Sequence, residues 1–153
     1  MSEHSDKAAA LFRSGYNCSQ SVLGAFSDRI PIPFETAVKL ASPFGGGIGR
    51  LRETCGAATG MLMVLGLTEG YSDTSDLSLK ADHYRLVQQL MKAFEKELGS
   101  FNCRELLGGI VSTSPVPAPR TPDFYLTRPC ERIIRKAAEI LDEHFAQEQD
   151  RKV

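Results

Sequence analysis

Four cysteines, at positions 18, 55, 103 and 130, are the residues of this chain whose type and placement could do chemistry. A thiolate is both the nucleophile of disulfide exchange and a metal ligand, so what matters is where each thiol can lose its proton. Asn17, Thr54, Asn102 and Thr127 are all residues that cap helix N-termini, with side-chain oxygens able to accept first-turn amides. Gln20 and Glu105, three positions after Asn17 and Asn102, complete a capping-box pattern. Cys18, Cys55 and Cys103 directly follow a proposed cap and Cys130 sits three after one, which places every thiol in the first turn of a predicted helix. Unpaired amides and the positive end of the helix dipole favour an anion there, while burial opposes it. Each cysteine also heads an apolar row: Cys18 with Val22, Ala25 and Phe26; Cys55 with Thr59 and Leu62; Cys103 with Leu106, Leu107 and Ile110; Cys130 with Ile133, Ile134, Ala137, Leu141 and Phe145. Four helices aiming a thiol at one interior would make a thiol/disulfide centre, a zinc site or an iron–sulfur site.

Spacing leaves those chemistries open. The intervals hold 36, 47 and 26 residues, without the paired cysteines of zinc ribbons or thioredoxin-like centres. A CxxCH run is absent, which argues against covalent c-type haem. Four thiols allow three disulfide pairings. Cys55 is the first choice for the reactive sulfur, because Gly56, Ala57, Ala58 and Gly60 leave space beside it, with Cys18, Cys103 and Cys130 as partner thiols or metal ligands. The competing reading is a binding or dimerising helical module whose cysteines are inert, since free cysteine often serves as a small apolar side chain.

Gly45, Gly46 and Gly47, followed by Gly49, form a loop of unusual freedom before the Cys55 helix. A phosphate cradle there would want the lysine and hydroxyl of a P-loop, which are missing. The two helix glycines, Gly56 and Gly60, lie on one face and suggest close backbone approach. Arg50 and Arg52 stand where charge could hold a thiolate, although a solvated loop explains them as well. His83 is a candidate ligand or proton shuttle on the longest helix. His4 is placed in a mobile terminus, His144 near the end of the last helix, and Glu105 is read as a cap.

The elements that must position these groups are all helical. Apolar spacing predicts helices over 6–14, from Asn17, over 35–41, 54–67, 76–98, 102–107 and from Thr127 to Phe145. Pro115, Pro117, Pro119 and Pro122 make 112–122 an extended connector. No period-two alternation or hairpin signal appears. The expectation is an all-α, single-domain bundle of five to seven helices, core about 6–146, with a charged tail over 147–153. Tyr16-Asn17-Cys18 echoes Phe101-Asn102-Cys103, pointing to a shared local geometry.

Cys55-Gly56-Ala57-Ala58-Thr59-Gly60, preceded by Cys18 and followed by Cys103 and Cys130, resembles the C_GCAxxG_C_C family, small redox-active proteins with a four-cysteine, CGAxxG pattern. The glycine run at 45–49 is similar too. The resemblance spans Cys18 to Cys130 and implies a helical protein, typical of anaerobic prokaryotes, with a redox role. The expected other reactant is a redox partner protein or a small-molecule thiol.

Composition narrows the rest. The chain has 153 residues with 42% apolar and 24% charged, one soluble domain's worth. Lys and Arg total 18 against 19 Asp and Glu, a net charge of -1, so no chain-wide field draws nucleic acid. Apolar runs fall short of a membrane span and the N-terminus has no signal-peptide pattern. A cytoplasmic protein, as monomer or homodimer, is the expectation.

Overall fold

The computed structural model describes residues 2–151. Eight α-helices follow one another: α1 (Glu3–Arg13), α2 (Cys18–Ala25), α3 (Phe34–Ala41), α4 (Gly56–Glu69), α5 (Leu77–Leu98), α6 (Cys103–Leu107), α7 (Pro122–Thr127) and α8 (Cys130–Arg151). A short 3-10 turn, Ser42–Phe44, follows α3. Among the described residues there is no strand, only an isolated antiparallel bridge between Thr54 and Asn102. The all-α expectation holds.

α4 is apolar almost all round, as a helix surrounded by others must be. It packs on α2, which in turn packs on α1 and α3, while α8 closes the bundle against α1, α2, α4 and α5. Val22, Leu23, Phe26, Met61, Leu65, Phe94, Ile134 and Leu141 form the fully buried centre. The glycines of α4 explain how closely α2 approaches: a Cβ on Gly60 would stand 2.7 Å from the Ser19 carbonyl oxygen, and one on Gly56 3.2 Å from the Ser19 amide nitrogen. The small residues after Cys55 therefore admit a neighbouring helix rather than leave open space.

Several boundaries differ from the expectation, each for a local reason. α1 starts three residues earlier, at Glu3, because Ser2 and Ser5 form a reciprocal capping box. Thr127 ends α7 instead of capping α8. Pro129 forces Arg128 into extended backbone (ψ 134°), so no helix can run through, and α8 begins at Cys130 with the Pro129 carbonyl accepting from the Ile133 amide. The added helix, α7, opens inside the proline-rich connector with Thr121 as cap and Pro122 in the first turn. It brings the number of helices to eight, of which six have at least seven residues. α8 continues through Arg151 rather than fraying after Phe145; Lys152 and Val153 of the expected tail lie outside the described residues. Ile110, assigned to the row behind Cys103, is fully exposed beyond the end of α6.

Candidate functional site

Asn17 and Asn102 cap α2 and α6 as expected, each accepting from the amide three residues on, which sets Cys18 and Cys103 as first residues of their helices. The echo between the two segments is thus a real repeat of local geometry. Gln20 closes its box by accepting from the Asn17 amide. Glu105 does so only by relay: the Asn102 amide donates to Ser100 Oγ, and that hydroxyl donates to Glu105 Oε2 at 2.6 Å. Thr54 is no cap. It pairs with Asn102 in the bridge, and Cys55 itself occupies the cap position of α4, with no side-chain capping bond. Cys55 N donates to Phe101 O and Cys103 N to Glu53 O, both at 2.7 Å, so the two segments that carry these cysteines are tied together through backbone.

The glycine loop folds as a left-handed turn. Gly46, Gly47, Ile48, Gly49 and Arg50 all have φ between 56° and 69°, and Arg52 has φ 61°. Each non-glycine residue there costs about 1–2 kcal/mol, and β-branched Ile48 is the least suited. The reversal presses Gly47 against the site: a Cβ on it would lie 2.6 Å from Cys103 Cβ and 2.7 Å from the Glu53 amide nitrogen. Gly45 is likewise crowded by the Asn17 side chain, and Gly56 by Cys18 Cβ at 3.2 Å. Gly45, Gly46, Gly47 and Gly56 thus bring backbone and thiols together.

All four cysteines line one small internal cavity of about 40 Å³, together with Gly46, Gly47 and Arg52. All are free thiols; Cys55 and Cys103 are buried, Cys18 and Cys130 half-buried. Cys18 and Cys130 are neighbouring thiols whose acidities shift in opposite directions. The bond to Cys130 and burial hold Cys18 well above the usual thiol value. Cys130 is lowered to about 7, by the bond from Cys18 and then by the charges of Arg128, Arg120 and Arg52, which together overcome burial. Burial pushes Cys55 up to about 12 against the favourable amides of Ala57 and Ala58. Burial also raises Cys103, opposed by Arg52, whose Nη1 lies 3.8 Å from Cys103 Sγ.

Above this cluster opens a cavity of about 460 Å³ whose walls include Cys18, Cys130, Arg50, Arg52, Arg120 and Arg128. Arg52 donates to the Ser112 carbonyl at 3.0 Å, and Arg50 to the carbonyls of Ser114 and Val116, so the glycine loop carries the proline-rich segment as a wall. Arg120 stacks 4.5 Å above the Phe12 ring and donates to the carbonyls of Phe12 and Tyr16. Arg120 and Arg128 escaped the sequence reading; their one signal was an arginine two residues before Cys130, mirroring the arginines just before Cys55.

The histidines stand elsewhere. His4 is ordered in α1, stacked on Phe26 and bonded to Asp28 and Asp142 at 2.9 and 2.7 Å. His83 packs edge-on against Tyr71. His144 is buried and bonds Glu69 at 2.6 Å, at the far end of α4 from Cys55. With Glu148 these form the group of metal-type donors, among the described residues, whose atoms all lie within 4.8 Å; no three cysteines do.

Among the described residues no helix is long and apolar enough to cross a membrane. No curated protein and no solved structure matches the chain. The family model described as "Putative redox-active protein (C_GCAxxG_C_C)" matches residues 16–144, the span that holds all four cysteines, the left-handed loop and all four cavity arginines, and the chain belongs to that family.

Proposed function

We propose that Cys130 and Cys18 form a thiol/disulfide redox centre, with Cys130 as the nucleophile and Cys18 as the thiol that resolves the mixed disulfide. The observation that carries this is geometric: of the four thiols lining the small cavity, Cys18 and Cys130 also line the larger, arginine-walled one, where the neighbouring Cys18 and then the charges of Arg128, Arg120 and Arg52 lower Cys130 to about 7. A nucleophile with a value near ambient pH combines a large thiolate fraction with good intrinsic reactivity. The reading moves the reactive sulfur from Cys55 to Cys130, because Cys55 is buried and its neighbouring space is filled by α2. Cys55 and Cys103 act as protonated thiols behind the pair.

A zinc tetrathiolate is the poorer reading. Tetrahedral zinc with Zn–S bonds of about 2.3 Å needs sulfurs about 3.8 Å apart, and no three of these lie mutually within 4.8 Å. The cavity between them, about 40 Å³, has room for a water or a lone ion.

The test is alkylation of the native, reduced protein with iodoacetamide at pH 7.5. One cysteine reacts fast; peptide mapping assigns it to Cys130, and Cys130→Ser removes the fast phase while Cys55→Ser keeps it. A fast phase that survives Cys130→Ser would overturn the assignment. Elemental analysis of anaerobically purified protein runs beside it: stoichiometric zinc or iron would transfer the four thiols to a metal role.

A further inference from the structure

Resting on that redox reading, we infer that the centre's substrate is a small anionic disulfide, one bearing carboxylate or phosphate groups, seated in the arginine-lined cavity above Cys18 and Cys130. Three observations converge. The cavity, about 460 Å³, has the size of small-molecule sites, so the substrate enters whole. Its walls carry Arg50, Arg52, Arg120 and Arg128 and no acidic residue. Among the described residues, arginine ion pairs engage Arg13, Arg85 and Arg135, and none of the four cavity guanidiniums.

That last point separates a site from a surface. Arginines that serve structure alone are commonly neutralised by a carboxylate, and the desolvation of unpaired like charges is unfavourable. Here Arg50, Arg52 and Arg120 hold backbone carbonyls, and Arg120 and Arg128 lie over the Phe124 ring at 5.0 and 5.2 Å. Those contacts orient each guanidinium without cancelling its charge. Crowding has a visible effect: burial and then the charges of Arg52 and Arg128 lower Arg50 from its usual value. An anion relieves that repulsion, and Phe12 and Phe124 supply apolar wall for the body of the molecule.

The chemistry balances as one half-reaction of the reduced protein. The Cys130 thiolate attacks one sulfur of the bound disulfide; the Cys130–substrate S–S bond forms, the substrate's S–S bond breaks, and one substrate thiolate leaves. Cys18 then loses its proton and attacks Cys130 Sγ, displacing the second thiolate. The substrate gains two electrons and becomes two thiols, the protein loses two as the Cys18–Cys130 disulfide, and the protons of the two cysteines end on the products or in solvent. A developing thiolate leaving group inside a ring of guanidiniums is stabilised as it forms.

The test compares three disulfides on the full-length reduced protein: dianionic 5,5′-dithiobis(2-nitrobenzoate), neutral 2,2′-dithiodipyridine and dicationic cystamine, each rate divided by that with free 2-mercaptoethanol. The normalised rate of the dianion should exceed that of the dication at least about tenfold at low salt, and the ratio should shrink as salt rises. Arg128→Gln and, separately, Arg120→Gln should cut the dianion-to-neutral ratio severalfold, whereas Arg85→Gln, exposed on α5 and outside the cavity lining, leaves it unchanged. Using a ratio of probes removes any change in Cys130 acidity that these variants bring. Fast reaction with all three probes and no charge preference would overturn the anionic substrate and leave the redox pair standing. Slow reaction with all three, no faster than an unfolded control, would overturn the pair itself.

Discussion

Cys130 gathers in one residue the influences that set thiol acidity. It takes a hydrogen bond from Cys18, feels three arginines, and is buried enough that all of these act through little solvent. The sign of its pH dependence follows. As pH rises through about 7, Cys130 loses its proton, so the fast alkylation rate should climb roughly tenfold between pH 6 and pH 8 and then flatten. Cys18→Ala removes the donor that steadies the thiolate, so the midpoint should move to higher pH; stopped-flow alkylation across pH 5–10 reads both curves, and an unmoved midpoint would place the cause in the arginines alone. The opposite environment is as informative. Cys55 has two first-turn amides in its favour and is nevertheless pushed to about 12, because at 5% exposure burial outweighs them. A helix N-terminus favours a thiolate only where solvent or cations can also reach it.

At the scale of elements, the parts legible in sequence were those governed by local chemistry. Asn17 with Gln20, and Asn102, read as caps because the competing side-chain bond is made within three residues. The α4 glycines read as a close-approach face for the same reason. What sequence did not show came from contacts distant in the chain. Thr54 leaves its helix because Asn102, far along the chain, pairs with it, and the left-handed course of residues 46–50 is imposed by packing against Cys103 and Glu53. Arg120 and Arg128 become part of the site only because α7 folds the proline segment back over it. The glycines of α4 provide a test of opposite signs. Gly60→Ala gains about 1 kcal/mol of helix propensity but drives a Cβ to 2.7 Å from the Ser19 carbonyl, so a net loss of about 1–3 kcal/mol is expected. Gly66→Ala, with nothing within 4 Å, should instead stabilise by up to about 1 kcal/mol. Urea denaturation of both variants measures the difference, and equal effects would refute the close contact.

Across the whole molecule the four cysteines are held in two different ways. Cys55 and Cys103 are joined through backbone, by the paired 2.7 Å bonds that flank the Thr54–Asn102 bridge, and those bonds close a loop containing α4 and α5. Cys18 and Cys130 face each other only through side chains on α2 and α8. Local opening at the cavity should therefore part the second pair and leave the first intact. Hydrogen exchange checks this: the amides of Cys55 and Cys103 should exchange only with global unfolding, far more slowly than the Arg128 and Thr127 amides nearby. The same asymmetry appears in charge. The chain totals -1, so with four positive guanidiniums gathered at one cavity the remainder of the molecule carries -5. A nearly neutral chain thus holds a concentrated positive field at the cavity that Cys18 and Cys130 line. A local field of that sign draws an approaching anion toward the cavity before contact, and a count of charges along the chain conceals it.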